Sequence, residues 1–333
     1  MALNKIGING FGRIGRYLVR LLADSSDVQV AVINARADNK TLAHLLKYDS
    51  TFGHFPFPVD VYDDGIVVNG KQIKVTRCAL KEWQWGELGI DLVIETTGKI
   101  KDKTGAMEHI KCGAKKVIVS APAKEADATI VMGVNDNVYD GSQVVISAAS
   151  CTTNCLAPAT KVLDDNFGVV KGLMTTIHSY TMSQRVLDGS DKDLRRARSC
   201  AVSMIPTTTG AARAIGLVCP KLKGKIDGMA IRVPTPDVSI VDFTVTLEKN
   251  ATVEEINAAL KKASEGAMKD NLGYTEEPLV SVDFTGDTHG GVVDAQLTSV
   301  IDGNFAKIIV WYDNEAGFTN QLVRLVRMVA KSM

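Results

Sequence analysis

The chain has 333 residues, 45% apolar and 23% charged, with 38 basic and 38 acidic side chains. That supports about two packed domains at ~100–200 residues each, excludes disordered and fibrous classes, and leaves no excess basic field to hold nucleic acid. No stretch approaches the ~20 apolar residues of a membrane span and Met1-Ala2-Leu3-Asn4-Lys5 lacks a signal-peptide core, so a cytoplasmic protein is expected, with neither membrane nor nucleic acid as a primary partner.

The first elements read as a βαβ unit. A short apolar strand from Leu3 to Ile8 runs into a glycine-rich turn from Gly10 to Gly15, and a helix follows with Ile14, Leu18, Leu21 and Leu22 on one face. The next strand, Val28 to Ile33, is almost continuously apolar, as a buried parallel strand is. Apolar runs at Leu92–Ile94, Val117–Val119 and Val144–Ile146 each end in small or polar residues, the pattern of strands whose carboxyl ends open on a ligand crevice. After Cys151 the period changes to two, in Ile240–Leu247 and Lys307–Tyr312, which predicts a half-exposed antiparallel or mixed sheet. Thr181 to Ser203 predicts a long ordered loop, and Asn320 to Lys331 a helix. The expected fold class is α/β: an N-terminal doubly wound Rossmann domain, then an α+β domain with a mixed or antiparallel sheet.

Asn9-Gly10-Phe11-Gly12-Arg13-Ile14-Gly15 holds a GxGxxG between a strand and a helix. Glycines there let the backbone turn tightly and approach a pyrophosphate seated on free helix N–H groups, and Arg13 could add a charge-assisted contact. An NAD site usually carries Asp or Glu about 20 residues on, where it binds the ribose hydroxyls. Here the place reads Ile33-Asn34-Ala35-Arg36. A missing carboxylate beside a guanidinium favours a ribose 2′-phosphate, so NADP or dual use is expected. The alternative is a solvated Arg36 with Asn34 holding the hydroxyls of NAD.

The six cysteines are scattered without disulfide or zinc spacing, and no HxxxH occurs, so no metal is expected. Ser147 to Cys155 follows an apolar strand and opens a helix, which places Cys151 where a helix end stabilises thiolate and can depress a thiol pKa into the range of about 3.5–7.5. Cys155 reads as a packing thiol, and Pro158 predicts a kink or an early break. His178, at the end of an apolar β-branched run, is the best acid-base partner. Thr207-Thr208-Thr209-Gly210, Arg195-Arg196-Ala197-Arg198 and Arg232 carry hydroxyl and guanidinium groups suited to anions, although a solvated face explains any one of them.

Five motifs occur together: Asn9 to Arg16, Leu45-Leu46-Lys47-Tyr48-Asp49-Ser50, Ala149 to Cys155, Asp193 to Arg198, and Trp311-Tyr312-Asp313-Asn314-Glu315. In this set and order the chain resembles the phosphorylating glyceraldehyde-3-phosphate dehydrogenases over essentially its whole length. The resemblance implies that Cys151 attacks the aldehyde to give a thiohemiacetal, that His178 is the base, and that inorganic phosphate, a co-substrate, attacks the resulting thioester. It implies a triose phosphate held by Thr181 and Arg232, attacking phosphate held by Ser150, Thr152, Thr209 and Gly210, and Arg196 as a supporting charge. For the cofactor, NADP or NAD, it implies Asn9, Gly10, Phe11, Gly12, Arg13, Ile14, Asn34, Ala35, Arg36, Arg77, Thr97, Gly98, Ser120, Ser190 and Asn314. A cofactor domain of residues 1–150 completed by helix 316–333, a catalytic and tetramerisation domain of 151–315, and a homotetramer follow from it.

The chain also departs from the usual pattern. Ala35 and Ser190 replace a usual Asp and Pro, as in members that accept NADP, and Ala148, Met182, Ser183, Ala316 and Phe318 alter the surroundings of the aldehyde pocket. Two alternatives stay open, an erythrose-4-phosphate dehydrogenase and a catalytically silent nucleotide- or RNA-binding protein. The hydroxyl run at Thr207–Gly210 counts against the first, and the presence of both Cys151 and His178 against the second.

Overall fold

The computed structural model describes residues 4–333. The chain forms two units, one of residues 1–130, 136–149 and 322–333, the other of residues 131–135 and 150–321.

The first unit contains β1 (Asn4–Asn9), α1 (Arg13–Leu22), β2 (Val28–Asn34), α2 (Asn39–Lys47), the short pair β3 (Tyr48–Asp49) and β4 (Gly53–His54), β5 (Val59–Tyr62), β6 (Gly65–Val68), β7 (Lys71–Thr76), β8 (Leu92–Glu95), α3 (Lys103–Lys111), β9 (Lys116–Val119), β10 (Ala128–Thr129) and β11 (Val145–Ser147). Its main sheet has the order β10-β11-β9-β8-β1-β2-β7-β6-β5. From β10 to β7 every pair is parallel. Strand order reverses at β1, which has β2 on one side and β8 on the other, the switch point at which α/β sheets bind ligands. Ile6, Ile8, Val93, Ile94, Val117 and Ile118 are fully buried, which is why these strands read as continuous apolar runs. Leu3 of the predicted first strand lies outside the described residues. The hairpin β5–β6 extends the sheet antiparallel through β7.

The second unit contains α4 (Cys151–Phe167), β12 (Val169–Ser179), β13 (Ile205–Thr208), α5 (Ala211–Val218), β14 (Ile226–Val233), β15 (Ser239–Leu247), α6 (Val253–Glu265), β16 (Leu272–Thr275), β17 (Gly291–Ile301) and β18 (Phe305–Tyr312). The sheet is mixed, in the order β13-β14-β12-β15-β18-β17-β16, with β12–β14 and β16–β17 parallel. β15 alternates strictly between buried and half-buried residues, as its period-two sequence predicts. The last helix, α7 (Ala316–Lys331), starts at 316 as the resemblance implies and four residues before the apolar period from Asn320, because Asp313 Oδ1 accepts the N–H groups of Glu315 and Ala316.

Pro158 corrects an expectation. α4 runs unbroken through it to Phe167. The proline leaves the Asn154 carbonyl without its helical donor, and that oxygen faces Gly290, where a Cβ would stand 2.7 Å from it. Residues 181–203 form no helix or strand, and the segment is ordered by its own hydrogen bonds, among them Gly189 N–H to Ala197 O and Cys200 N–H to Arg185 O. No helix among the described residues is long and apolar enough to cross a membrane.

Candidate active site

Cys151 is the first residue of α4. Ser150 caps the helix, its Oγ accepting the Thr153 N–H at 3.1 Å, and Ala149 before it holds the left-handed φ of 58°. A non-glycine residue in that region carries backbone strain, and here it aims the helix end. β12 delivers His178 so that Nε2 lies 3.5 Å from Cys151 Sγ. The parallel register of β12 and β14 pairs His178 with Arg232, whose Nη1 lies 2.5 Å from His178 Nδ1 and 3.0 Å from Ser179 O. Nδ1 is also 2.7 Å from Ser179 O. A bare Nδ1 accepts from Arg232, whereas a proton on Nδ1 donates to that carbonyl and requires the guanidinium, which only donates, to turn away from Nδ1. Tyr312 stands edge-on to the ring at 5.8 Å, and its OH meets the hydroxyls of Thr152 and Thr176 at 2.9 and 2.8 Å.

Burial first, and the Arg232 charge second, push His178 down to about 3, so the ring is neutral at pH 7. Burial also pushes the Cys151 thiol up, against Arg232 and hydrogen bonds from Thr152 that pull it down. The expectation of a thiol depressed by its helix end is therefore corrected, because desolvation of the thiolate outweighs the local positive field. Resting Cys151 and His178 form a neutral pair.

The anion-binding candidates surround this pair unevenly. Arg232 Nε is buried without a hydrogen-bond partner among the described residues. Arg196 lies near enough to lower the Arg232 pKa further, after burial, and its Nε donates to Thr207 Oγ1 at 3.0 Å. Gly210 caps α5 with no side-chain bond, a Cβ there would meet nothing within 4 Å, and Thr209 Oγ1 accepts the Ala211 N–H. Thr181 bonds locally to Ser183 and Gln184, and Thr152 is buried against Tyr312. Asn314 Oδ1 accepts from Ser179 Oγ and Ser239 Oγ at 2.7 and 2.8 Å, which leaves its Nδ2 without a hydrogen bond among the described residues.

In the first unit the glycine turn has the shape its sequence demands. Gly10 has φ of 100°, and a Cβ on Gly15 would stand 2.5 Å from Gly10 O. Gly12 is the N-cap of α1 without a side-chain bond, a Cβ there would meet nothing within 4 Å, and no acidic residue occupies the first turn. An open, uncapped helix end without negative charge fits a dinucleotide pyrophosphate. Phe11 is buried and Ile14 half-buried behind this turn. Arg13, expected at the phosphates, ion-pairs with Asp49, which also accepts the N–H groups of Thr51 and Phe52.

At the end of β2, Asn34 is fully engaged: Nδ2 donates to Asn9 Oδ1 and Cys78 O, while Oδ1 accepts from Thr76 Oγ1 and Cys78 N–H. Ala35 is buried, Arg36 is exposed without a hydrogen bond or ion pair among the described residues, and Arg77 Nη2 donates to Ala37 O and Asn39 Oδ1. Thr97 bonds to the Glu95 carboxylate, Gly98 holds φ of 67°, and Ser120 Oγ donates to Glu95 O. Ser190 is exposed, its carbonyl accepting from Arg185.

Residues 4–103 match the family profile of the glyceraldehyde 3-phosphate dehydrogenase NAD binding domain, and residues 150–314 match that of its C-terminal domain. A glyceraldehyde-3-phosphate dehydrogenase of Geobacillus stearothermophilus is 55% identical over 328 residues, 98% of each chain. The chain belongs to the glyceraldehyde-3-phosphate dehydrogenase family. The family's enzyme of Mycobacterium avium is 54% identical with 99% of each chain covered, and glyceraldehyde-3-phosphate dehydrogenase 1 of Bacillus cereus is 53% identical over 97% of each. The α/β architecture, with its parallel N-terminal and mixed C-terminal sheets, is that of a glyceraldehyde-3-phosphate dehydrogenase.

Sequence reasoning passed over Tyr312, which stands edge-on to His178, Thr176, which bonds the Tyr312 hydroxyl, Asp49, which holds Arg13, and Glu95. Only Glu95 carries a clear signal: a carboxylate closing the buried run Leu92-Val93-Ile94 must have dedicated partners.

Proposed function

We propose that this chain oxidises D-glyceraldehyde 3-phosphate and transfers the acyl group to inorganic phosphate, forming 1,3-bisphosphoglycerate. The observation that carries this reading is the 3.5 Å approach of His178 Nε2 to Cys151 Sγ in a member of this family. With its proton on Nδ1 donated to Ser179 O, and Arg232 turned from Nδ1 toward the substrate phosphate, His178 presents a bare Nε2 that takes the thiol proton as Sγ attacks the aldehyde carbon. His178 returns that proton to the former carbonyl oxygen to complete the thiohemiacetal, then takes the hydroxyl proton back on Nε2 as hydride leaves, and the carbon becomes an acyl thioester on Cys151. Bound NAD(P) supplies the hydride acceptor this oxidation requires. Phosphate attack on the thioester breaks the C–S bond, and Cys151 recovers its proton as product leaves.

Arg232 and Thr181 hold the substrate phosphate in this reading, while Ser150, Thr152, Thr209 and Gly210 hold the attacking phosphate with Arg196 as a supporting charge. The open, uncapped helix ends at Gly210 and Gly12 support anion binding at both places. Asn314 Nδ2 is available to the nicotinamide amide.

The reading extends to cofactor choice: NADP is accepted and preferred. Asn34 has no polar atom to spare for ribose hydroxyls, no carboxylate stands at Ala35, and Arg36 is uncommitted. The test is kcat/KM for glyceraldehyde 3-phosphate oxidation in phosphate with NADP against NAD. A larger NADP value, reduced selectively by Arg36→Ala, is expected, and a larger NAD value overturns the preference while leaving the chemistry intact.

The homotetramer is proposed on the apolar surface of the 181–203 loop and its flank, where Met182, Leu194, Val202 and Met204 are 91, 83, 82 and 74% exposed. Sedimentation at monomer mass contradicts it.

A further inference from the structure

Two hydrogen-bond chains meet on one buried carboxylate beneath the glycine turn. Glu95, Asn9, Asn34 and Thr76 close the adjacent strands β8, β1, β2 and β7, and each is the register partner of the next. Along this row Asn34 Oδ1 accepts the Cys78 N–H at 2.9 Å, Asn34 Nδ2 donates to Asn9 Oδ1 at 2.9 Å, and Asn9 Nδ2 donates to Glu95 Oε2 at 2.6 Å. A backbone N–H can only donate, so Cys78 fixes the direction of both amides and requires an acceptor at residue 95.

The second chain arrives from the opposite side. Trp85 Nε1 donates to His109 Nδ1 at 3.0 Å, and His109 Nε2 lies 3.1 Å from Glu95 Oε2. An indole N–H also can only donate, so His109 carries its proton on Nε2 and donates it to the carboxylate. The Trp83 ring stacks on His109 at 3.9 Å. Glu95, His109 and Trp85 are at most 1% exposed. The other carboxylate oxygen accepts the Thr97 N–H at 2.7 Å and the Thr97 hydroxyl, and the Glu95 carbonyl accepts Ser120 Oγ at 2.9 Å.

We propose that Glu95 is a positioning residue for the dinucleotide site, the acceptor-only group on which both fixed-polarity chains end and which holds Asn9 and Thr97 in place for the cofactor. The inference rests on the dinucleotide reading of the glycine turn. Glutamine has nearly the same shape, but its NH₂ must face either Thr97 N–H or the paired donors of Asn9 and His109. Neither chain can reverse, because each begins at a group that only donates. Donor-against-donor contacts in a buried row displace the groups that make them.

The test compares full-length wild type and Glu95→Gln by calorimetric titration with NAD and NADP, beside the rate of Cys151 alkylation by iodoacetamide without cofactor. Cofactor Kd is expected to rise about tenfold or more while alkylation changes by less than about twofold, since Cys151 belongs to the other unit. A Kd within about twofold of wild type overturns the proposal, whether or not the melting temperature falls. Should Glu95→Gln fail to fold, His109→Phe removes one chain's donor and keeps a ring against Trp83. Weaker cofactor binding in that variant supports the proposal, and unchanged binding overturns it. If wild type itself binds neither dinucleotide, the underlying reading fails instead.

Discussion

His178 and Arg232 are register partners on parallel strands, and the guanidinium meets the imidazole Nδ1 at 2.5 Å while the Nε2 of the same ring faces Cys151 Sγ at 3.5 Å. One cation therefore acts on both members of the thiol pair. Arg232 lowers His178, second to burial, and opposes the burial that raises Cys151. Arg232→Ala is expected to move both titrations to higher pH. The pH profile of Cys151 alkylation reads this directly, and kcat/KM is expected to fall by about 10²–10⁴. A profile that stays in place contradicts the assignment.

The glycine turn makes a paired test. Gly12→Ala points a methyl into open space, whereas Gly15→Ala forces one to 2.5 Å from Gly10 O. Gly12→Ala is expected to leave the melting temperature nearly unchanged and to weaken dinucleotide binding, because the methyl occupies the approach to the helix end. Gly15→Ala is expected to cost about 1–3 kcal/mol of stability. Thermal unfolding and cofactor titration on the two proteins separate fold from ligand roles.

Acid stability follows from His178. Its folded value is about 3, below the ordinary 6.5, so between these limits the unfolded chain binds more protons and stability falls as pH falls. The loss is expected to begin near pH 6.5 and to reach about 2 kcal/mol by pH 5, at ~1.4 kcal/mol per unit. Urea unfolding at several pH values checks it, with His178→Gln expected to flatten that part of the curve.

Asp237 makes an opposite case. Its carboxyl is buried and neither oxygen has a hydrogen-bond partner among the described residues, so burial first and the Asp313 charge second push it up to about 8. A carboxyl raised in the fold is destabilising as pH climbs above its unfolded value near 4. Asp237→Asn supplies a neutral donor to Asp313 and is expected to stabilise by about 1–2 kcal/mol, the gain growing from pH 5 to pH 8. A lower melting temperature for Asp237→Asn at pH 8 contradicts this.

Much of this architecture is legible in local sequence. The buried parallel strands are continuous apolar runs, β15 alternates, and Ser150 announces the start of α4 at the thiol. What escapes depends on pairing between distant residues. Nothing near His178 says that residue 232 lies beside it on the next strand, and nothing near Asn34 says that Thr76, Cys78 and Asn9 consume its amide. Pro158 misleads because the Asn154 carbonyl, which cannot bond to it, stands against Gly290, far away in sequence. The Cys151 thiol misleads because the helix end is a local property and desolvation is not.

The most direct test of the central claim is a stopped-flow record of reduced-cofactor formation with glyceraldehyde 3-phosphate, first without and then with inorganic phosphate. If Cys151 carries the acyl thioester, wild type gives a burst approaching about one equivalent per chain without phosphate, steady turnover once phosphate is added, and Cys151→Ser gives neither. Steady turnover that ignores phosphate, or a burst that survives in Cys151→Ser, contradicts the account.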